Sequence, residues 1–161
     1  NIGVGFSLAS GTIGACIEAN IAGVPAIAFS QEFFPDDFKY WDANRTFSEN
    51  THNTLLQRLA FSITKVWDYL KDKDNSEPIT WNVNFPKKYS SNKVENIMIK
   101  DTVLSNTYYD ACFKPRDNGF QFALAKTRTE ENKNSDVFAL EQGNVSISTI
   151  DIRILGQLLD N

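Results

Sequence analysis

Apolar residues recur with two different periods in the first half of the chain, and these periods predict alternating strands and helices. Residues 25–30 form a short apolar run typical of a buried parallel strand. From about Asn50 to Lys71, apolar residues recur every three or four positions, as in an amphipathic helix. This stripe consists of Leu55, Leu56, Leu59, Ile63, Val66, Trp67 and Leu70. Residues 80–86 then alternate as a strand does, so the pattern predicts a strand–helix–strand unit with a parallel strand pair.

The segment before this unit is rich in glycine and serine, and we expect residues 1–11 to form a loop. A helix should follow over residues 12–22, with Ser10 or Thr12 as its N-cap and Gly23 in its stop signal. Residues 31–48 are polar and aromatic without a clear period, and we expect a second loop there.

Beyond residue 87 the pattern predicts strands and loops. We expect strands at residues 94–102, 107–113, 120–127 and 144–150, a charged loop at 129–136 and a short helix at 153–160. Asn118 and Gly119 lie between two β-rich runs, which is a strong hairpin signal because both residues tolerate positive φ. The whole chain, residues 1–161, is therefore predicted to be one α/β domain.

Composition narrows the class of protein. The chain has 161 residues, of which 42% are hydrophobic and 22% charged, as in an ordinary globular domain. No apolar run approaches the 18 or so residues of a membrane span. The net charge of −4, without a basic block, argues against non-specific binding to nucleic acid. Two cysteines, Cys16 and Cys112, are too few for a disulfide framework, so we expect a reducing, cytoplasmic location.

The stretch with candidate chemistry is Ser10-Gly11-Thr12, which stands at a predicted helix start behind the loop that contains Gly3. A helix N-terminus offers unpaired N–H groups and a partial positive charge, and the two hydroxyl groups add donors. Gly11 allows close approach of the backbone. The segment therefore has the chemistry of a phosphate or carboxylate cradle, although the same residues also suit a plain helix cap.

The wider sequence resembles the SurE family of metal-dependent phosphatases. The resemblance rests on Asn1-Ile2-Gly3, on residues 10–19 (SGTIGACIEA) and on residues 23–30 (GVPAIAFS). Residues 81–86 (WNVNFP) and 142–148 (QGNVSIS) are similar to later motifs of the family and occur in the same order. The first block of motifs is specific to the family. The later motifs are weak individually, and they support the resemblance because they occur in the family's order.

The resemblance implies a Rossmann-like, mostly parallel sheet with helices on both faces. It also implies hydrolysis of nucleoside monophosphates or other phosphomonoesters with a divalent cation, magnesium or manganese. Asn1 then corresponds to an Asn of the family's glycine loop, either its metal ligand or a second Asn beside it, and we take it as the candidate ligand. Ser10, Gly11, Thr12 and Gly3 would border the phosphate. The hairpin at residues 104–130 would be a projecting arm that, with the tail at 153–161, helps to form a homodimer or homotetramer.

One departure from the family pattern affects catalysis. The family's Asn-Asp-Asp-Gly motif, which carries two metal-binding aspartates, and the strands around it do not occur in this chain, so its catalytic residues are unknown. Asp36-Asp37 is no substitute, because it follows Pro35 in a predicted solvated loop. We therefore expect residues 1–161 alone to lack turnover. A diphosphate-binding domain of a sugar-nucleotide glycosyltransferase and a non-catalytic fragment remain the alternatives.

Overall fold

The computed structural model describes residues 1–73, 76–91, 94–106, 113–122 and 132–154, and these residues form both helices and strands. The α-helices are α1 (Gly3–Leu8), α2 (Gly11–Ile21), α3 (Pro35–Asn44), α4 (Glu49–Leu70) and α5 (Asp136–Glu141). The strands are β1 (Ala26–Gln31), β2 (Thr80–Phe85), β3 (Ile99–Asp101), β4 (Phe113–Arg116), β5 (Gly119–Phe122) and β6 (Val145–Ile150). Short 3-10 turns lie at Val94–Asn96 and Ile152–Ile154.

Four of these strands form one sheet in the order β1-β2-β6-β3. β1 pairs with β2 in parallel and β3 pairs with β6 in parallel, whereas β2 and β6 are antiparallel. Ala28 lies opposite Asn82, which in turn lies opposite Ser148. β4 and β5 form a separate two-stranded hairpin. The sheet is thus mostly parallel and flanked by helices, which confirms the predicted α/β class.

The two faces of the sheet have different chemistry. Helix α4 packs its buried Val66 and Leu70 on the apolar face, which carries Trp81, Val83, Phe85, Val145 and Ile147. Ile13 and Cys16 of α2 pack on Ala28 at the opposite face. That second face also carries buried polar side chains, and we call it the polar face. Its polar residues are Ser30, Thr80, Asn82, Asn84, Ser146 and Ser148.

The strongest periodic signals are confirmed. The strand predicted at residues 25–30 is β1, the helix predicted from Asn50 to Lys71 is α4, and the last two alternating segments are β2 and β6. α2 also lies where a helix was predicted, and Ser10 is its N-cap. Within the described residues, no helix is long and apolar enough to cross a membrane.

Three short helices were not predicted. Residues 1–11 are not a loop, because α1 forms at Gly3–Leu8, where Val4 N–H donates to Ser105 O over 2.9 Å. Residues 31–48 are not a loop either, because α3 begins at Pro35 with two acidic residues in its first turn, a favourable helix start. The predicted charged loop ends in α5, which Ser135 caps by accepting from Phe138 N–H over 3.1 Å.

Other boundaries and exposures also differ. The strand predicted at 94–102 is shortened to β3 behind a 3-10 turn. Three members of the predicted α4 stripe are exposed, namely Leu56, Ile63 and Trp67. The hairpin turns tightly at residues 117–118 instead of over six residues, and its predicted outer parts at 107–112 and 123–127 lie outside the described residues. The helix predicted at 153–160 is a 3-10 turn as far as residue 154, and its remainder lies outside them as well.

Candidate functional site

Asn1 lies on the polar face, near the carboxyl ends of β1 and β2. Its α-amino group, the terminal nitrogen of this sequence, donates to Asn84 Oδ1 over 2.9 Å, and its carbonyl oxygen accepts from Asn82 Nδ2 over 2.9 Å. Its side-chain Nδ2 donates to Ser30 Oγ over 2.6 Å. Asn1 Oδ1 accepts no hydrogen bond from the residues that the structure describes. Both ends of the residue are therefore held while one amide oxygen stays available.

Gly3 is fixed by a buried carboxylate. Its N–H donates to Asp136 Oδ2 over 2.7 Å, and Asp136 Oδ1 accepts from the N–H groups of Ser105 and Val137 over 2.9 and 2.8 Å. Asp136 has no exposed surface. Gly3 has φ +70°, a conformation that favours glycine. The N–H of Gly3 is thus already engaged, and this residue shapes the backbone here instead of offering a donor.

The N-terminus of α2 is open to a ligand. Ser10 caps the helix, because its Oγ accepts from Ile13 N–H over 3.2 Å and its carbonyl oxygen accepts from Gly14 N–H over 2.9 Å. Gly11 and Thr12 are exposed, and their N–H groups have no hydrogen-bond partner among the described residues. The positive end of an 11-residue helix therefore presents two unpaired donors next to two hydroxyl groups.

Buried Ser7 joins these two parts of the site. Its hydroxyl group donates to Asn1 O over 3.1 Å, and its carbonyl oxygen accepts from Ser10 N–H over 3.2 Å. Only 1% of Ser7 is exposed. One buried residue thus connects Asn1 to the N-cap of α2.

A cavity of about 640 Å³ opens beside Ile2 at the same edge of the sheet. Lys87 on its wall donates to Glu32 Oε1 over 2.7 Å. Tyr89 lines it too, and burial raises the pKa of the Tyr89 hydroxyl, which shares a 2.9 Å hydrogen bond with Ser62. Small-molecule sites commonly have volumes of roughly 300–1,000 Å³, so this cavity has room for an organic group.

The metal chemistry available from these residues is limited. Asn1 Oδ1 fits a magnesium or manganese ligand, since both ions prefer oxygen donors. It is neutral, however, and the described ranges contain no group of three or more His, Cys, Asp or Glu side chains that suits a metal ion. Asp36 forms an exposed ion pair with Lys39, and Asp37 accepts from Thr51 Oγ1 over 2.8 Å. This part of the chain therefore offers one neutral ligand without anionic partners, and we derive no catalytic step through a metal.

Five hydrogen-bonding residues of the site were not identified from the sequence as parts of it: Ser7, Ser30, Asn82, Asn84 and Asp136. The alternation of asparagines in residues 80–86 was a usable signal. β2 is buried at every position, so these asparagines face protein and not solvent. Asp136 gave no such signal, because it stands at the end of a polar segment.

Comparisons with known proteins agree with this architecture. The model of the family described as "Survival protein SurE" matches residues 1–110. The crystal structure of the SurE protein from Aquifex aeolicus superposes with a TM-score of 0.54 at 20% identity, and the match covers 97% of this chain and 58% of that one. The chain thus spans less than two thirds of the length of this solved relative. No curated protein matches the sequence significantly.

Proposed function

The chain belongs to the SurE family, and on that premise we propose that it is the phosphate-binding part of a metal-dependent phosphomonoesterase. We propose nucleoside 5′- and 3′-monophosphates as its substrates. Ser10, Gly11 and Thr12 bind the phosphate in this proposal, Gly3 shapes the loop beside it, and Asn1 supplies one oxygen ligand to magnesium or manganese.

The observation that carries the proposal is the open N-terminus of α2. Two N–H groups that have no hydrogen-bond partner in the described part of the chain, and the hydroxyl groups of Ser10 and Thr12, lie at the positive end of the helix. Such groups stabilise the charge on phosphoryl oxygens without needing to reorganise. A bound divalent cation supplies further positive charge to those oxygens.

The cavity beside Ile2 supports a substrate larger than phosphate alone. Its volume of about 640 Å³ accommodates a nucleoside, and the half-buried ion pair of Lys87 with Glu32 supplies polar groups on its wall. The match to the SurE family favours a phosphatase over a sugar-nucleotide glycosyltransferase. A cytoplasmic location and assembly into a homodimer or homotetramer complete the proposal.

Phosphate release from nucleoside monophosphates tests it, with the full-length protein in magnesium or manganese and with excess chelator. We expect turnover that chelator abolishes and added metal restores. Comparison with p-nitrophenyl phosphate separates a nucleotidase from a general phosphatase. Residues 1–161 alone should show no turnover, because their described residues offer a single neutral ligand at Asn1. Turnover by the full-length protein that survives chelation would contradict the proposed function.

A further inference from the structure

A row of exposed apolar side chains runs along α4. It consists of Leu56, Ala60, Ile63 and Trp67, and we call it the outer stripe. Trp67 is 57% exposed. A different side of the helix packs on the sheet through residues such as Val66, which has no exposed surface. The described residues therefore account for the burial of one apolar side of α4 and leave the outer stripe uncovered.

The spacing of the outer stripe is that of a seam between two helices. Its successive residues are four, three and four positions apart, which is the a/d spacing of a coiled coil. The stripe extends over about three turns of α4, which has 22 residues. Exposed polar residues lie beside it, among them Asn53, Gln57 and Thr64. An apolar strip with a polar border is the usual anatomy of a protein interface.

We propose that the outer stripe is an interface with a second copy of this chain, in which two α4 helices pack antiparallel. In such a pair Ile63 lies opposite Ala60 of the partner subunit, and Trp67 lies opposite Leu56 of the partner subunit. A larger side chain then faces a smaller one in every layer, which allows the seam to fill closely. The inference rests on the homo-oligomer of the proposed function and does not depend on its catalytic activity.

The charges at the two ends of α4 favour the antiparallel arrangement. Glu49 begins the helix and Lys71 is its C-cap, and both are exposed. Lys71 keeps 47% of its side chain exposed, although it also pairs with Asp68 of its own helix. An antiparallel pair brings Glu49 of each copy within about one turn of the partner's Lys71, whereas a parallel pair places equal charges side by side. Opposed helix dipoles favour the same arrangement.

Reversal of these charges tests the pairing. Glu49→Lys or Lys71→Glu alone turns both symmetric contacts into repulsions, and we expect the dissociation constant of the α4 contact to rise about tenfold or more. The double variant Glu49→Lys/Lys71→Glu should restore it. The two residues lie about 33 Å apart within one helix, so they restore each other only between copies. Because the reversed charges oppose the helix dipole, the melting temperature should not recover in the double variant.

Trp67→Ser tests the apolar part of the interface, and Phe61→Ser is its matched control. Phe61 is 42% exposed on the same helix, but it lies about 100° round the helix axis from Ala60 and so outside the stripe. Trp67→Ser should weaken association at least tenfold. Phe61→Ser should leave the dissociation constant near that of the parent protein.

The measurements are sedimentation equilibrium and melting temperature on the full-length protein. All variants carry Phe120→Ser, so that a contact through the exposed hairpin residue Phe120 does not hide the loss of the α4 contact. We expect the parent Phe120→Ser protein to be a dimer and its Trp67→Ser derivative to be a monomer.

Equal dissociation constants of Trp67→Ser and Phe61→Ser, or a charge-reversed double variant no tighter than the single variants, would overturn the α4 interface. A Trp67→Ser variant with a lower melting temperature and an unchanged mass would also overturn it, since the stripe would then be covered within one chain. Metal-dependent phosphate release by the wild type tests the catalytic proposal separately, because none of these outcomes depends on turnover.

Discussion

Gly11 is the residue at which the proposed phosphate contact can be tested most directly. It is exposed, and a Cβ added there would meet no atom of the described residues within 4 Å. Gly11→Val should therefore fold normally, while its branched side chain shields the N–H groups of Gly11 and Thr12. We expect affinity for inorganic phosphate, measured by calorimetry, to fall about tenfold or more, comparable to the loss of one or two charge-assisted hydrogen bonds.

Gly14→Val is the control for that change, since Gly14 lies in the same helix and is equally free of neighbours. Its phosphate affinity should equal that of the wild type. The same loss of affinity in both variants would point to altered helix stability and contradict a contact at Gly11.

The hydrogen bonds of Asp136 should contribute to the stability of the fold around Gly3. Its carboxylate accepts three main-chain N–H groups, and an asparagine offers only one acceptor oxygen. In Asp136→Asn at least one buried N–H loses its partner, so the free energy of unfolding should fall by about 1–3 kcal/mol. Urea denaturation measures this loss. Glu141→Gln, at the exposed end of the same helix, should change stability by less than about 0.5 kcal/mol.

Residues of the candidate site differ in how far they are predictable from sequence. The cap at Ser10 is a local pattern, because its partner Ile13 is three residues away. Two of the partners of Asn1, Asn82 and Asn84, lie 81 and 83 residues along the chain, and Asp136 lies 133 residues from Gly3. No local pattern encodes such pairings, because they arise only when the sheet brings distant segments together.

At the scale of elements, the turn between α5 and β6 contains a glycine that the fold requires. Gly143 has φ +73°, and a Cβ there would lie 2.4 Å from Ser90 N and 2.8 Å from Lys88 O. Gly143→Ala should therefore lower the free energy of unfolding in urea denaturation for two reasons. An alanine in the left-handed conformation costs roughly 1–2 kcal/mol, and the close contact of its Cβ costs about 1–3 kcal/mol more.

Gly23→Ala measures the cost of the left-handed backbone conformation alone. Gly23 has φ +80°, but an added Cβ would have no atom within 4 Å in the described ranges of the chain. The free energy of unfolding of Gly23→Ala, measured by urea denaturation, should be roughly 1–2 kcal/mol below that of the wild type, a smaller loss than that of Gly143→Ala. Equal losses would show that the contact with residues 88–90 relaxes at no cost.

Helices and strands could be predicted from the sequence where burial of one side produces a regular pattern of apolar residues. α4 has an apolar stripe because one of its sides packs on the sheet, and β1 has an apolar run because both faces of this strand contact core residues. α3 buries no residue, so its sequence carries no stripe, and only Pro35 with the acidic first turn marks it. α1 contains two glycines and forms through contacts such as that of Val4 N–H with Ser105 O, which outweigh its weak helix propensity.

At the scale of the whole molecule, the hairpin is the expected assembly surface. Phe120 on β5 is 75% exposed, and a two-stranded hairpin gains stability by packing on another surface. We expect light scattering to report a dimer or tetramer for the wild type and a smaller species for Phe120→Ser. Ile21→Ser, a change of similar exposure at the end of α2, should leave the mass unchanged. A monomeric wild type at micromolar concentration would contradict this prediction.

The place of β6 in the sheet has a consequence for how the protein reaches its native state. β6 lies between β2 and β3, and β2 pairs with it across about 70 residues of sequence, as in Thr80 with Ile150. During synthesis β1 and β2 emerge long before β6, and within the described sheet β3 has no neighbour until β6 arrives. Such non-local pairing slows folding, so the sheet should close only after the ribosome has released residue 150. Until then the inner edge of β2 is open to other chains, which makes this interval the period in which a chaperone matters most.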